Sequence, residues 1–137
     1  MLKMPEADAG VLGRREEIVA ALRAIVPGEG VIVSETERRA YETDGLTAYR
    51  QAPMVVVLPS TTEQVSQVLR YCQEQGVKVV PRGAGTSLSG GALPLEDGVL
   101  LGLGKFNRIL EIDLPNRCAV VQPGVTNLAI TDAVRHA

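Results

Sequence analysis

The residues best suited to chemistry lie in one glycine-rich stretch, Pro81 to Gly91, which reads PRGAGTSLSGG. Four of its eleven residues are glycine and three carry a hydroxyl group. Glycine lets the backbone take positive φ and approach a ligand closely, and successive N–H groups in such turns form concave nests for anions. Arg82 adds a charge that suits phosphate. The stretch predicts a diphosphate cradle, with a loop that only permits tight turns as the alternative.

Two common phosphate-binding motifs do not fit this stretch. A P-loop needs Gly-Lys followed by Ser or Thr, and no Lys follows any of these glycines. The dinucleotide fingerprint needs Gly-x-Gly-x-x-Gly leading into a helix. Gly83 and Gly85 match its first two positions, but Leu88 stands at the third, and the loop continues towards Pro94. The sequence therefore predicts a different kind of cradle.

A strand, a helix and a second strand lead directly into this loop. Met54 to Leu58 is a continuous apolar run, which is typical of a strand buried on both faces. Gly76 ends the helix as a C-cap residue, and Val77 to Val80 forms the second strand. The helix begins at one of three possible N-cap residues, Ser60, Thr61 or Thr62. The short turns predict a βαβ unit with parallel strands and a right-handed crossover.

The remaining elements surround this unit and together predict an α+β (α/β) fold with a small mixed sheet. Residues 1 to 13 are polar and are expected to be a frayed terminus, and the 42–53 segment is expected to be a loop. Helices are predicted at Arg14–Val26, at Thr126–His136, and from a capping box at Ser34 and Glu37 through Tyr41. Further strands are predicted at Val31–Val33 and Val99–Leu103, and as a hairpin at Ile109–Asp113 and Cys118–Gln122.

Composition excludes several classes of function. The net charge of −2 gives no electrostatic basis for nucleic-acid binding, and no apolar run is long enough to span a membrane. The N-terminus lacks the apolar stretch of a signal peptide, which predicts a cytoplasmic protein. Cys72 and Cys118 lack metal-ligand spacing and are expected to be inert, partly buried thiols. His136 is the single histidine, so no metal site is predicted.

The ordered series of motifs resembles a known family. The string PRGAGTSLSGG follows LPSTTEQV and a helix and precedes VQPGV. This order is similar to the N-terminal part of FAD-linked oxidases of the vanillyl-alcohol oxidase and p-cresol methylhydroxylase superfamily. Within it, the likeness is greatest to the branch of glycolate oxidase FAD-binding subunits and D-lactate dehydrogenases. The resemblance implies an N-terminal helical segment over 1–40, followed by the first part of a PCMH-type FAD-binding domain over 41–137, incomplete at its C-terminus.

The resemblance also implies which residues contact the cofactor. The glycine-rich loop would wrap the FAD diphosphate, a Pro-Gly-Val segment would lie near the flavin and adenosine, and the strand end at Leu58 and Pro59 would approach the cofactor. Some relatives attach flavin through a histidine in the loop, and Thr86 at the matching position predicts non-covalent FAD. The implied contacts are Arg82, Gly83, Ala84, Gly85, Thr86, Ser87, Ser89, Gly90, Gly91, Pro123, Gly124 and Val125.

The implied activity is hydride transfer from a small 2-hydroxy acid to FAD, with an iron–sulfur subunit as a candidate partner. No residue of this chain is assigned as the catalytic base. Two alternatives stand beside this interpretation: a superfamily member with another alcohol substrate, and a non-catalytic module without bound cofactor. The chain itself is expected to self-associate through exposed apolar surface. Asp44 is expected to cap a loop. The 105–108 segment is expected to be a polar turn.

Overall fold

A four-stranded sheet lies at the centre of the computed structural model, which describes residues 4 to 136. Its strands are β1 (Val31–Ile32), β2 (Val55–Val57), β3 (Lys78–Arg82) and β4 (Gly98–Gly102). Their spatial order is β1-β2-β4-β3. Strands β2, β4 and β3 run parallel, and β1 joins the edge antiparallel to β2. The predicted βαβ unit is confirmed in direction, with β4 inserted between its two strands, and the handedness of its crossover stays a prediction.

The helices occupy the first part of the described chain and its C-terminal end. They are α1 (Ala9–Gly13), α2 (Arg15–Ile25), α3 (Glu35–Arg38), α4 (Thr62–Gln75) and α5 (Asn127–Ala133), with 3-10 turns at Gly28–Gly30 and Arg39–Tyr41. Together with the mixed sheet they confirm the α+β class. None of the helices in residues 4–136 combines the length and the apolar character needed to cross a lipid bilayer.

The hydrophobic core lies between the central sheet and the helices α2 and α4. Because side chains alternate along each strand, those of Val55, Val57, Val99 and Leu101 face the helices and belong to this core. Val56 and Leu100 point to the opposite face and are also fully buried. A parallel strand buried on both faces needs such an unbroken apolar run, so the interpretation of Met54 to Leu58 is confirmed. The core residues of the two helices are Ile18, Val19, Leu22, Val68 and Cys72.

The expectation of a frayed N-terminus is wrong for the described part of residues 1–13. Asp8 caps α1 by accepting hydrogen bonds from the N–H groups of Gly10 and Val11. The Asp8 N–H donates to Asp97 at 2.9 Å, and Val11 is buried in the core. A charged cap and one apolar anchor thus order a segment whose composition alone looked polar.

Three local predictions need correction. Ser34 precedes α3 but makes no capping hydrogen bond, and α3 ends at Arg38 before a 3-10 turn. Strand β3 extends to Arg82 because β4 pairs with it along that length, and Pro81 is tolerated there since β3 is an edge strand. Helix α5 begins after Thr126 as predicted but ends at Ala133.

The hairpin is confirmed as β5 (Ile109–Asp113) and β6 (Cys118–Val121), which pair antiparallel with a bulge near Ile109. It forms a separate two-stranded sheet.

The two cysteines differ in environment. Cys72 is buried, and burial raises the pKa of its thiol to about 11. Cys118 is exposed, so its expected partial burial is wrong; it lies on a hairpin strand that no further strand of residues 4–136 covers.

Candidate functional site

The carboxyl ends of the parallel strands define the candidate site. Leu58 follows β2, Arg82 ends β3 and Gly102 ends β4, and all three lie at one edge of the sheet. The Leu103 N–H donates to the Arg82 carbonyl at 2.9 Å. A Cβ added at Gly102 would lie 2.6 Å from Cδ2 of Leu58, so the strand ends are in close contact. Ligands of open α/β sheets bind outside this edge.

The glycine-rich loop leaves β3 at this edge and carries unpaired amide groups. Gly85 and Gly90 have φ values of 73° and 76°, which favour glycine over residues with a Cβ. Within the described residues, the N–H groups of residues 83 to 88 donate to no protein acceptor. The loop sequence contains no Asp or Glu. A run of amides that have no protein acceptor, with no carboxylate in the loop to compete, offers hydrogen-bond donors to an anion.

One hydroxyl group of the loop faces inward. Ser87 Oγ accepts hydrogen bonds from the N–H groups of Ser89, at 3.4 Å, and Gly91, at 3.1 Å. This contact shapes the second half of the loop, as Ser side chains commonly do in turns. The exposed Thr86 and Ser89 side chains keep their hydroxyl groups at the surface. The sequence analysis named all three hydroxyl residues as contacts implied by the family resemblance. In the structure the Ser87 hydroxyl accepts hydrogen bonds within the loop, whereas Thr86 and Ser89 are exposed.

Arg82 lies beneath the loop. Its Nη1 donates to the backbone carbonyl of Tyr41 at 3.1 Å, and its guanidinium lies 5.8 Å from the centre of the Tyr41 ring, within cation–π range. A Cβ at Gly85 would lie 2.6 Å from Cζ of Arg82. The guanidinium therefore places its positive charge directly against the backbone of the loop, at a position that requires glycine.

The Pro123–Val125 segment reaches the same edge from the other sheet. The Gly124 N–H donates to the carbonyl of Phe106 at 2.6 Å. A Cβ at Gly124 would lie 2.6 Å from the Phe106 carbonyl oxygen and 3.1 Å from that of Leu103. Gly124 thus fits against the turn that follows β4, and Leu103 connects this turn to β3. The structure brings both predicted segments to the ends of adjacent strands.

Asp44 is a residue whose importance the sequence analysis underestimated. It is 5% exposed and caps a loop, as predicted, by accepting from the Leu46 N–H at 2.9 Å. It also accepts from the N–H of Ala92, beyond the end of the glycine-rich loop, at 3.3 Å. The Asp-Gly dipeptide signals a turn, but no sequence pattern indicates which distant amide a buried carboxylate will bind.

Other features lie apart from this edge. Lys105, Asn107 and Arg108 are exposed, in agreement with a polar turn. A cavity of about 500 Å³ lies between the hairpin and α5, and none of its lining residues belongs to the glycine-rich loop. Among residues 4 to 136, no three His, Cys, Asp or Glu side chains are grouped so as to hold a metal ion.

The fold and this edge of the sheet define a class of protein. Residues 53–137 match the profile of the FAD binding domain family, and the chain belongs to that family. The resemblance to the vanillyl-alcohol oxidase and p-cresol methylhydroxylase superfamily is confirmed by a solved structure of p-cresol methylhydroxylase with substrate bound. It superposes with a TM-score of 0.77 and 29% identity over 96% of this chain and 26% of that chain.

Curated relatives narrow the class further. The chain is 53% identical over 131 residues to glycolate oxidase subunit GlcD of Escherichia coli, across 96% of this chain and 25% of the relative. It is 45% identical over 97 residues to a D-lactate dehydrogenase of Archaeoglobus fulgidus, across 69% of this chain and 22% of the relative. The chain therefore spans about a quarter of the length of these relatives, and it is an FAD-binding domain of their type.

The residues of the loop suit the diphosphate of FAD in particular. The free N–H groups of residues 83 to 88 and the absence of carboxylates in the loop suit a diphosphate. The Arg82 charge behind the loop adds to the attraction for an anion. Gly83 has nothing within 4 Å of an added Cβ, so its outer side is open to a ligand. These features favour the diphosphate as the group bound in the loop.

Proposed function

We propose that this chain binds the diphosphate of FAD in its glycine-rich loop and belongs to a flavin-dependent enzyme that oxidises a small 2-hydroxy acid. The observation that carries the proposal is the run of unpaired amides at residues 83 to 88, at the carboxyl end of the parallel strands. The 53% identity to a glycolate oxidase subunit supports the substrate class. On this proposal, residues 41–137 form the first part of the FAD-binding domain and 1–40 precede it.

Each part of the site has a distinct task in this proposal. The amides of the loop and the hydroxyl groups of Thr86 and Ser89 donate to the diphosphate oxygens. Arg82 neutralises charge from behind the loop, and Gly124 lets the Pro123–Val125 segment approach the rest of the cofactor. FAD, when bound, supplies the group that accepts a hydride. Thr86 has no ring nitrogen to bond to flavin, which favours non-covalent binding.

Substrate oxidation needs a base that takes the hydroxyl proton, and no residue of this chain is proposed for that task. We infer that an iron–sulfur subunit takes the electrons from the reduced flavin, as the likeness to a glycolate oxidase subunit suggests. The likeness to p-cresol methylhydroxylase supports a second candidate, an FAD enzyme of the same superfamily with a different substrate, such as another alcohol. The loop geometry serves either substrate equally because it contacts only the cofactor.

Titration of the purified chain with FAD, followed by flavin fluorescence and visible absorbance, tests the proposal. We expect saturable binding that weakens at least tenfold in Arg82→Ala and in Gly85→Val. Gly13→Ala is the matched control, since an added Cβ there meets nothing within 4 Å, and it should bind as the wild type does. A folded chain that binds no FAD would contradict the proposal and favour a module without cofactor.

A further inference from the structure

The segment from Tyr41 to Leu46, here called the buttress, packs along the glycine-rich loop although it lies far earlier in the chain. At the start of the loop, the carbonyl of Tyr41 accepts from Arg82 at 3.1 Å. In the middle, the Leu46 N–H donates to the carbonyl of Ser87 at 3.0 Å. Beyond the end of the loop, Asp44 accepts from the N–H of Ala92 at 3.3 Å. The loop is therefore held at three points by one short segment.

The buttress also determines the direction in which loop amides point. A Cβ at Gly45 would lie 2.7 Å and 2.8 Å from the carbonyl oxygens of Thr86 and Ser87, so both carbonyls face the buttress. No cis peptide bond is present among the described residues, and in a trans peptide the carbonyl and the following N–H point in opposite directions. The N–H groups of Ser87 and Leu88 therefore point away from the buttress. A ligand bound by these groups would lie on that opposite side of the loop.

Asp44 connects the buttress to the loop through one buried carboxylate. Its Oδ1 accepts from Leu46 at 2.9 Å and its Oδ2 accepts from Ala92 at 3.3 Å, so its two oxygens join two segments of the chain. Hydrogen bonds to an ionised acceptor are stronger than neutral ones. An uncharged replacement weakens both contacts, and removal of the carboxylate leaves the buried Ala92 N–H without its acceptor.

We propose that Asp44 is a positioning residue for the diphosphate cradle. In this role it acts on the bound diphosphate only through the loop. It anchors the buttress against the loop, and the buttress in turn fixes the peptide planes whose N–H groups bind the diphosphate. The identity of the bound group rests on the proposed function, whereas the anchoring of the loop by Asp44 is a property of the ligand-free chain.

Hydrogen exchange of the ligand-free chain, measured by NMR, tests the anchoring directly. In Asp44→Asn, we expect the amide of Ala92 to exchange at least tenfold faster and the amide of Leu46, which also donates to the Ser87 carbonyl, to exchange faster by a smaller factor, with the amides of α4 unchanged. Glu42→Gln is the matched control because Glu42 lies in the buttress but pairs with Arg50 at 3.1 Å. It should leave the exchange rates and the FAD affinity as they are in the wild type.

An FAD titration of the same variants separates this proposal from the proposed function. A wild-type chain that binds no FAD would overturn the proposed function, and the exchange rates would still decide whether Asp44 anchors the loop. Wild-type exchange rates in Asp44→Asn would overturn the anchoring. Faster exchange with wild-type FAD affinity would overturn the positioning role.

A second variant covers the case in which Asp44→Asn fails to fold. Gly45→Ala keeps the carboxylate but forces the added Cβ against the carbonyls of Thr86 and Ser87. We expect faster exchange of the Leu46 and Ala92 amides, which link the buttress to the loop, and at least a tenfold loss of FAD affinity. Wild-type exchange and binding in Gly45→Ala would overturn the proposal, because the carbonyls would then not need this contact.

Discussion

Asp97 links the N-terminal segment to the central sheet through a single buried carboxylate. Its Oδ2 accepts from Lys78 Nζ at 2.6 Å and from the Asp8 N–H at 2.9 Å. Burial alone would raise the pKa of this carboxyl group, but these hydrogen bonds and the Lys78 charge outweigh burial and lower the pKa below its ordinary value of 3.8. Because the folded-state pKa is lowered, the ionised carboxylate stabilises the fold at pH values above its ordinary pKa of 3.8. This contribution is lost as the pH falls through the folded-state pKa.

Asp97→Asn should therefore lower the free energy of unfolding at pH 7 by about 1.5–3 kcal/mol, the range for hydrogen bonds to charged groups. The difference from the wild type should shrink as the pH falls from the ordinary pKa of 3.8 through the lower folded-state pKa, because the carboxyl group then becomes protonated first in the unfolded chain and then in the folded chain. Urea unfolding at a series of pH values measures this. Asp132→Asn is the control, since Asp132 is an exposed partner of Arg135. A difference that is constant with pH would contradict the assignment.

The residue types of the loop predicted its chemistry well but predicted its contacts poorly. Positive φ at Gly85 and the free amides around it follow from the glycine content. The inward turn of Ser87 Oγ and the contact of Arg82 with Tyr41 do not, because they depend on partners that only the folded chain brings near. Sequence patterns report local conformation, whereas the partner of a long or buried polar side chain is decided by tertiary packing.

The start of α4 shows how a local signal identifies a helix boundary. Three hydroxyl residues could have capped this helix, and the structure selects Thr61, whose Oγ1 accepts from the Gln64 N–H at 3.2 Å. Thr61→Ala should lower the free energy of unfolding by about 1 kcal/mol, the usual value for a lost N-cap. Thermal or urea unfolding measures the change.

Thr62→Ala is the matched control for this cap. Thr62 is the first residue of α4 and is exposed, so replacing it with a better helix former should leave stability the same or slightly higher. An equal loss of stability in both variants would show that Thr61 does not act as the cap. Ser34 illustrates the limit of this signal, because it has the right sequence neighbours but no capping bond.

Elements with strong local signals, the hairpin among them, were predicted closely, whereas the pairing of strands distant in sequence was not. Strand β2 and helix α4 follow from an apolar run, a cap and a C-terminal glycine with φ of 65°. The last two residues of β3 are strand only because β4 lies beside them. The order β1-β2-β4-β3 could not be predicted from the sequence, since pairing between distant strands leaves no local pattern.

At the scale of the whole molecule, exposed apolar side chains concentrate on the hairpin and α5. Leu110, Leu114 and Val120 of the hairpin region are 56%, 53% and 49% exposed, and Leu128 of α5 is 67% exposed. A two-stranded hairpin is marginally stable alone in water, and apolar patches of this kind mark surfaces that associate with other protein. We therefore predict that this chain self-associates reversibly through the exposed surface of the hairpin and α5.

Sedimentation velocity over a range of protein concentrations tests this prediction. The weight-average sedimentation coefficient should rise with concentration in the wild type, and the double variant Leu110→Lys with Leu128→Lys should remain monomeric, because burying an unpaired charge opposes association. Leu69→Lys is the matched control, since Leu69 is 44% exposed on α4 and lies outside this surface. A wild-type chain that stays monomeric at high concentration, or a control that dissociates as fully as the double variant, would contradict the role of this surface.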